Sequence, residues 1–139
     1  MQLIVESLYT LRMKRKNFDH LACPVAATLS VIGDHWSILI IRDLFFGLSR
    51  FDEFQADLGI ARNVLSDRLK KLCAEGIIMK LHTAEGHTAY ALTDEGLALR
   101  KVMLAMANWG EAHRPEKSGT GKWREFGKEP TAANSGSRR

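Results

Sequence analysis

The stretch GIARNVLSDRLKKL, residues 59–72, constrains the fold of this chain more than any other feature. At about 100° per residue, Leu65, Leu69 and Leu72 fall within roughly 60° of one another on an α-helix and give it an apolar face. The opposite face gathers four polar side chains at the spacing i, i+3, i+4 and i+7: Asn63, Ser66, Asp67 and Lys70. The apolar face must pack against a body, and the polar face is either an ordinary solvated surface or one presented to a polar partner.

A second helix-forming stretch comes immediately before it. In SRFDEFQADLG, Ser49 is predicted to cap a helix and Gly59 to end it, with three apolar residues at helical spacing: Phe51, Phe54 and Leu58. The connection LGIA leaves room only for a tight turn. Two short helices joined in this way form a helix-turn-helix, whose second helix, residues 62–72, projects its polar face from the body.

Two further helices are predicted upstream. VAATLSVIG, residues 25–33, follows Pro24 at the first helical position, which makes Cys23 the N-cap. The apolar run over residues 36–46 ends at Gly47 and is apolar on nearly all sides, so we expect it to be the buried central helix.

The period of the apolar residues changes downstream. IIMKLH and TAYALT, residues 77–82 and 88–93, are typical of two short strands joined in a hairpin. Thr93 or Asp94 is then predicted to cap a long helix over residues 95–109. Three helices, a hairpin and a further helix in this order are the plan of a winged helix-turn-helix.

The predicted fold class is therefore α+β, mainly α: a winged helix-turn-helix DNA-binding domain with flanking helices, to which the family resemblance given below assigns dimerisation. The expected division is an N-terminal arm over residues 1–20, the winged-helix domain with its last helix over 21–112, and a basic, flexible tail over 113–139. Trp123 and Phe126 in the tail are too apolar for a pure linker. We expect them to dock on a partner subunit, or the charges around them to attract phosphates.

The charge distribution favours a polyanionic partner. The chain of 139 residues carries a net charge of +4, which by itself is weak support because many basic proteins bind no nucleic acid. Between residues 59 and 81, however, five basic residues stand against two acidic ones, a local net charge of +3. This concentration favours double-stranded DNA as the partner of the polar helix face.

At this point the sequence resembles the HxlR-type transcriptional regulators, a winged-helix family of the MarR-like superfamily. The resemblance covers about residues 13–109 and rests on six blocks: CPVA at 23–26, IGDHWSILIIRDL at 32–44, RFDEF at 50–54, GIARNVLSDRLKKL at 59–72, EGII at 75–78 and YALTDEG at 90–96. It implies a small cytoplasmic, nucleoid-associated homodimer that binds palindromic operators and represses or activates genes. Its dimer interface would be built from the terminal helices.

The resemblance also implies how the second helix of the pair would meet DNA. Its recognition residues would be Arg62, Asn63, Ser66, Asp67 and Lys70, and its phosphate contacts Arg68, Lys71 and Lys80. An amide such as that of Asn63 can pair with an adenine edge. Asp67 has two interpretations: it accepts from a cytosine amine, or it holds Arg68 or Lys71 in an ion pair worth a few tenths of a kcal/mol.

Two positions depart from the family pattern. Members often carry a serine cap where this chain has Ala61, and losing that hydroxyl costs about 1 kcal/mol of helix stability. The hairpin loop HTAEGHTAY also lacks the arginine or lysine of many members, so its charge would come only from His82 and His87. Histidine gains charge in acid, so we expect a weak minor-groove contact that strengthens as the pH falls.

The two cysteines fit a reducing compartment and are too few for a disulfide framework. Cys23, at a helix N-terminus, has two interpretations: a regulatory thiol that responds to electrophiles or oxidants, as in some family members, or a small residue that seats the first helix against the partner. Cys73 borders the leucine face and is expected to be inert. His20 and Cys23 are too few ligands for a metal.

Other function classes are disfavoured. No nucleophile has a base and an orienting acid at recognisable spacing, and no phosphate loop is present, so we predict neither an enzyme nor a cofactor. The alternatives kept open are a winged-helix module for a protein partner, a thiol enzyme built on Cys23, and control by a non-covalent small ligand beneath the last helix. We expect neither a membrane span nor a signal peptide.

Overall fold

A computed structural model describes residues 19–119 and 122–127. It contains seven α-helices and two strands within those residues: α1 Pro24–Ile32, α2 His35–Phe45, α3 Phe51–Leu58, α4 Arg62–Ala74, β1 Ile78–His82, β2 Thr88–Leu92, α5 Asp94–Leu97, α6 Arg100–His113 and α7 Lys122–Phe126. Short 3₁₀ turns lie at Asp19–Leu21 and Pro115–Lys117. This element order is that of a winged helix-turn-helix, and the predicted fold class is confirmed.

The core forms where α2 meets the helix-turn-helix pair. Ile40 and Ile41 of α2 are fully buried, as is Phe54 of α3. The three leucines of α4 complete this core, with exposed fractions of 0% for Leu65, 1% for Leu69 and 0% for Leu72. The predicted apolar face of α4 is therefore confirmed, and α2 is the central helix that its apolar sequence predicts.

The two ends of α3 test the predicted capping residues. Gly59 ends the helix with φ of +64°, a backbone conformation that glycine adopts without strain. The prediction that Ser49 caps the start is wrong, because the N-cap is Arg50. Glu53 supplies the acceptor, and its Oε1 accepts from the backbone N of Ser49 at 3.2 Å and of Arg50 at 3.0 Å.

The hairpin is antiparallel and pairs Ile78 with Leu92, and His82 with Thr88 at its far end. The loop turns at Gly86, whose φ is +81°. The backbone N of Tyr90 donates to the carbonyl of Ser49 at 2.7 Å, which ties the hairpin to the start of α3. This hairpin, residues 78–92, is the wing of the fold, and it is consequently fixed beside the helix-turn-helix.

The long helix predicted over residues 95–109 is instead two helices, α5 and α6, separated by Ala98 and Leu99. Thr93 caps α5 as predicted, accepting from the backbone N of Gly96 at 3.1 Å. Gly96 is buried against the hairpin, and a Cβ on it would lie 2.1 Å from the carbonyl oxygen of Ile77. Because Gly96 packs this closely on the residue before β1, α5 is a single turn that does not continue into α6.

The C-terminal segment differs from the unstructured tail that the sequence predicts. Trp123 and Phe126 of α7 pack on the same chain, with ring centroids 4.9 Å from Phe46 and 5.2 Å from Phe45, respectively. The guanidinium of Arg100 lies 4.9 Å from the Phe126 ring centroid and donates to the Phe126 carbonyl. Aromatic burial therefore orders this part of the chain. The predicted arm, apart from its last two residues, and the end of the tail lie outside the described residues.

Within the part of the chain that the structure describes, no single helix has the length and apolar character needed to cross a membrane. By length and composition, only α1 and α2 taken together would meet that requirement, and they are bent by 80° at their junction.

Candidate nucleic-acid interface

The polar face of α4 is turned outward, because its opposite face is buried in the core. Asn63 and Lys70 are exposed, and Ser66 between them is half-buried. No ion pair to Lys70 is present within the described residues. The structure thus brings together three of the predicted recognition residues as a strip with amide, hydroxyl and ammonium groups, all of which can bond to base edges.

Arg62 begins α4 and leans back on α3. Its guanidinium lies 4.9 Å from the Phe51 ring centroid and 3.8 Å from a carboxylate oxygen of Asp52. Its Nη1 also donates to Oε1 of Gln55 at 3.4 Å. The Arg62 side chain is 71% exposed, and exposed ion pairs of this kind contribute at most about 1 kcal/mol. Arg62 can therefore leave these contacts for a phosphate at small cost.

Arg68 and Lys71, two of the predicted phosphate contacts, lie against Asp34, the residue directly before α2. Arg68 Nε donates to Oδ1 of Asp34 at 3.0 Å, and Lys71 Nζ lies 3.7 Å from Oδ2 of Asp34. Arg68 Nη1 also donates to Oδ2 of Asp67 at 2.6 Å. Of the two interpretations of Asp67, this geometry matches the one in which it holds Arg68.

Asp34 is a functional residue that was not among those predicted from the sequence. Its Oδ1 accepts from the backbone N of Ser37 at 2.9 Å and its Oδ2 from the Ser37 hydroxyl at 2.6 Å, so it is the N-cap of α2. Burial alone would raise the pKa of Asp34, but the hydrogen bonds from Ser37 and the Arg68 guanidinium outweigh it and hold that pKa below its ordinary value. Aspartate three residues before serine at a helix start was the available signal.

The wing presents Lys80, His82 and His87, all exposed. The backbone N of His87 donates to the Thr83 hydroxyl at 3.1 Å, which holds the loop closed while the imidazole faces solvent. Met79 and Leu81 alternate with Lys80 along β1 and are each 43% exposed. The wing therefore exposes Lys80 and two imidazoles together with two apolar side chains.

An apolar groove lies between α1, α2 and α6, with a volume of about 650 Å³, and we call it the α1/α6 groove. It is lined mainly by Val25, Leu29, Ile32, Ile38, Val102 and Met106. Val25 is 67% exposed and Met106 50%, and Trp109 on α6 is 57% exposed. Apolar side chains exposed to this extent on two neighbouring helices mark an interaction surface.

The two cysteines have different surroundings. Cys23 is exposed and is the N-cap of α1, where its side chain makes no capping hydrogen bond. Cys73 is half-buried, and burial raises the pKa of its thiol against the opposing effect of the Lys80 ammonium. No group of three or more metal-ligating side chains occurs in residues 19–119 and 122–127.

The sequence profile of one protein family, described as HxlR-like helix-turn-helix, matches residues 31–118. The chain belongs to this family. The match includes the helix-turn-helix pair, the wing and α6, so it covers every element that positions the exposed face of α4.

Similar proteins and solved structures agree with this assignment. A regulator of Mycobacterium bovis, named as an uncharacterized HTH-type transcriptional regulator, is 34% identical over 98 residues, which cover 68% of this chain and 61% of that protein. The crystal structure of PA1607, described as a candidate transcription factor, superposes with a TM-score of 0.67 at 46% identity and covers 71% of this chain and 72% of that one.

A third relative is the redox regulator HypR in its oxidized form. It matches with a TM-score of 0.60 at 35% identity, over 66% of this chain and 98% of that one. All three are named for regulation and none for catalysis. The matched region spans less than two thirds of the length of the mycobacterial relative.

Replacing Asp34 should loosen α4 from α2. Asp34→Ala removes the cap and both cationic contacts, so we expect a loss of about 1–3 kcal/mol in the free energy of unfolding near pH 7, measured by urea denaturation. Asp34→Asn keeps a capping oxygen and loses the charge, so its cost should be smaller. Since ionised Asp34 is favoured in the folded state, the cost of Asp34→Asn should be complete above about pH 4 and shrink as the pH falls further.

The matched control is Asp52→Ala, because Asp52 is exposed and its ion pair to Arg62 is long. This control should change the free energy of unfolding by less than about 0.5 kcal/mol. A cost of Asp34→Asn that stays the same from neutral to acid pH would contradict the ionic role assigned to Asp34.

Proposed function

We propose that this protein is a transcriptional regulator that binds operator DNA by placing α4 in the major groove. The observation that carries this proposal is the outward strip of Asn63, Ser66 and Lys70, backed by three fully packed leucines. A helix anchored in this way presents hydrogen-bonding groups to base edges without losing core contacts. Its place of action would be the cytoplasm, at the nucleoid.

The remaining basic residues supply the phosphate contacts in this proposal. Arg62 is exposed at the start of α4, and Lys80 is exposed on the wing. Arg68 and Lys71 keep partial exposure, 28% and 39%, so each can bridge Asp34 and a phosphate. His82 and His87 would contact the minor groove weakly, and more strongly in acid as histidine becomes charged.

Asn63→Ala and Lys80→Ala should separate base recognition from phosphate attraction. Loss of a base contact costs about 1–3 kcal/mol, so Asn63→Ala should weaken operator binding about tenfold or more and leave binding to random DNA nearly unchanged. Lys80→Ala, which removes a proposed phosphate contact, should weaken binding to both DNAs and lower the salt slope by about one. Fluorescence anisotropy at several salt concentrations, with DNA from the upstream region of the gene, measures both effects.

Lys117→Ala is the matched control, because Lys117 is exposed on a turn outside the helix-turn-helix and the wing. Lys117→Ala should bind operator and random DNA with the same affinities as the unmodified chain. Equal binding of operator and random DNA by the unmodified chain and by Asn63→Ala would count against sequence recognition through α4.

The proposed regulator acts as a homodimer on palindromic operators, with half-sites about 10 bp or a small multiple apart. The α1/α6 groove supports this, because it exposes apolar side chains on the two helices that flank the winged-helix core. If the α1/α6 groove of a second protomer packed against this one, Val25, Leu29 and Met106 would be buried. Isologous apolar contacts of this kind are the usual basis of two-fold dimers.

Met106→Glu should convert the dimer to a monomer, because it places a charge in the proposed interface. Light scattering coupled to size exclusion gives the mass directly. Met79→Glu is the control, since Met79 has a similar exposed fraction of 43% but lies on the wing. A dimer that survives Met106→Glu would place the interface elsewhere.

We propose Cys23 as the regulatory thiol. Its support is its exposure at the start of α1, beside the α1/α6 groove, and the likeness of the chain to a redox regulator. Oxidation there would change the seating of α1 and hence the proposed dimer. The alternative kept from the sequence is a non-covalent ligand in the α1/α6 groove.

Treatment with the thiol oxidant diamide should shift the DNA affinity of the unmodified chain about tenfold or more, equivalent to about 1.4 kcal/mol. Cys23→Ser should abolish this response, and Cys73→Ser should keep it because the Cys73 thiol is half-buried with a raised pKa. Equal responses of the chain and Cys23→Ser would show that Cys23 only packs.

A further inference from the structure

Two acidic side chains meet where the end of α2 lies against the end of α3 and the C-terminal segment. A small cavity of about 300 Å³ is found there, and it shares no lining residue with the proposed DNA-binding strip or the α1/α6 groove. Among its described lining residues three are charged: Arg42 and Asp43 of α2, and Asp57 of α3. The C-terminal segment contributes only uncharged ones: Ser118, Gly119 and Trp123. The electrostatics of this junction therefore depend on one cation and two acids.

The single guanidinium of Arg42 serves both acids. Its Nη2 donates to Oδ1 of Asp43 at 3.0 Å and to Oδ2 of Asp57 at 3.0 Å, and its Nε donates to the same Asp43 oxygen at 3.2 Å. Because one nitrogen contacts both carboxyl groups, the two acids are close neighbours, and the Asp57 carboxyl is within hydrogen-bonding reach of Asp43. This contact joins the end of α2 to the end of α3.

The second oxygen of Asp43 lacks a donor. The Asp43 side chain is only 3% exposed, and its Oδ2 is buried without a hydrogen-bond partner among the described residues. An ionised carboxylate can only accept, so this oxygen would keep a full desolvation cost if Asp43 were charged. A protonated carboxyl carries an O–H donor, which can donate to the Asp57 carboxylate. The missing donor is thus supplied when Asp43 itself holds a proton.

The surroundings of Asp43 favour that neutral form. Two acids that face each other at short distance do not both ionise readily, and they share one proton instead. Burial and the neighbouring Asp57 carboxyl raise the pKa of Asp43 to about 6, against the opposing effect of the Arg42 guanidinium. Arg42 is the only described cation that lines the cavity, so nothing else there stabilises a second negative charge.

We propose that Asp43 holds a proton that it shares with Asp57, and that this proton links the central helix to the helix-turn-helix. With the proton bound, the Asp43 O–H donates to the Asp57 carboxylate, and Arg42 balances the one remaining negative charge. Loss of the proton to water changes the net charge of the three groups from zero to −1 and leaves two carboxylates facing each other.

The position of Asp57 gives this proton its consequence. Asp57 lies two residues before Gly59, which ends α3 and begins the turn into α4. A weaker contact at Asp57 therefore loosens the helix-turn-helix from α2 at the turn that positions α4. The device makes the seating of the helix-turn-helix sensitive to pH in the range around 6, and it does not depend on the proposed DNA binding.

Asp43→Asn is the main test, because the amide keeps the shape of the carboxyl and supplies a donor at every pH. Since the pKa of Asp43 is raised from about 4 to about 6 on folding, its proton stabilises the folded state in acid, and this stabilisation is lost as the pH rises through 6. Urea denaturation of the full chain gives the folding equilibrium constant. The ratio of this constant for Asp43→Asn to that for the unmodified chain should rise about tenfold between about pH 5 and pH 7.5.

Asp52→Asn is the matched control, because Asp52 is an exposed acid on α3 outside the cavity, and its ratio to the unmodified chain should stay constant with pH. Asp57→Asn removes the facing acid and offers an amide donor to Oδ2 of Asp43, so it should show the same rise as Asp43→Asn. It also tests the shared proton if Asp43→Asn does not fold.

A direct measurement is a ¹³C NMR titration of the aspartate carboxyl groups. One carboxyl of the unmodified chain should titrate with a midpoint near pH 6, and this signal should be absent in Asp43→Asn. Both measurements are made without DNA, so their outcome is independent of the proposed function.

Two results would overturn the proposal. A ratio for Asp43→Asn and Asp57→Asn that stays constant or falls between about pH 5 and pH 7.5 would mean that Asp43 is ionised throughout and that Arg42 alone satisfies it. Aspartate carboxyls that all titrate below about pH 5 would lead to the same conclusion, with buried water as the donor to Oδ2.

Discussion

The orientation of α4 depends on the hydrogen bonds and ion pairs made by the Asp34 carboxylate. It caps α2 through Ser37 and also accepts from Arg68, while Lys71 lies within ion-pair distance. Because Asp34 caps the start of α2 and the middle of α2 is fully buried, this carboxylate ties α4 to the start of the central helix. The leucine face sets the depth at which α4 packs. The ion pairs add a directional constraint on its rotation about its own axis, and that rotation determines which side chains face a duplex.

The features that the sequence predicted correctly are local ones. The spacing of Leu65, Leu69 and Leu72 determines a buried face within a single helix. Gly59 and Thr93 act on their own backbone neighbourhood, one through a positive φ and the other through a capping hydroxyl. The outward polar strip follows from the same periodicity, since it is the complement of the leucine face. The residues of this strip were therefore predictable, although the ion pairs of the charged side chains beside it were not.

The features that the sequence did not predict depend on partners distant along the chain. Arg68 meets Asp34 across 34 positions, and no local pattern signals that pairing. Trp123 packs on the domain because the Phe46 ring, directly after α2, offers it an aromatic surface. The break before α6 reflects the close approach of Gly96 to the hairpin. At the start of α3, the acceptor came from the Glu53 carboxylate, and Ser49 contributed only its backbone.

The bracing of α4 also determines the kind of attraction it can offer DNA. Arg68 lies between two carboxylates, so much of its charge is compensated before any phosphate approaches. Compensated cations contribute less to counterion release, which drives binding to any sequence. What remains at the centre of the face is Lys70 beside the amide of Asn63. In the proposed complex, a helix arranged in this way would gain more from matching base edges than from neutralising phosphates, and general attraction would come chiefly from Arg62 at its start and Lys80 on the wing.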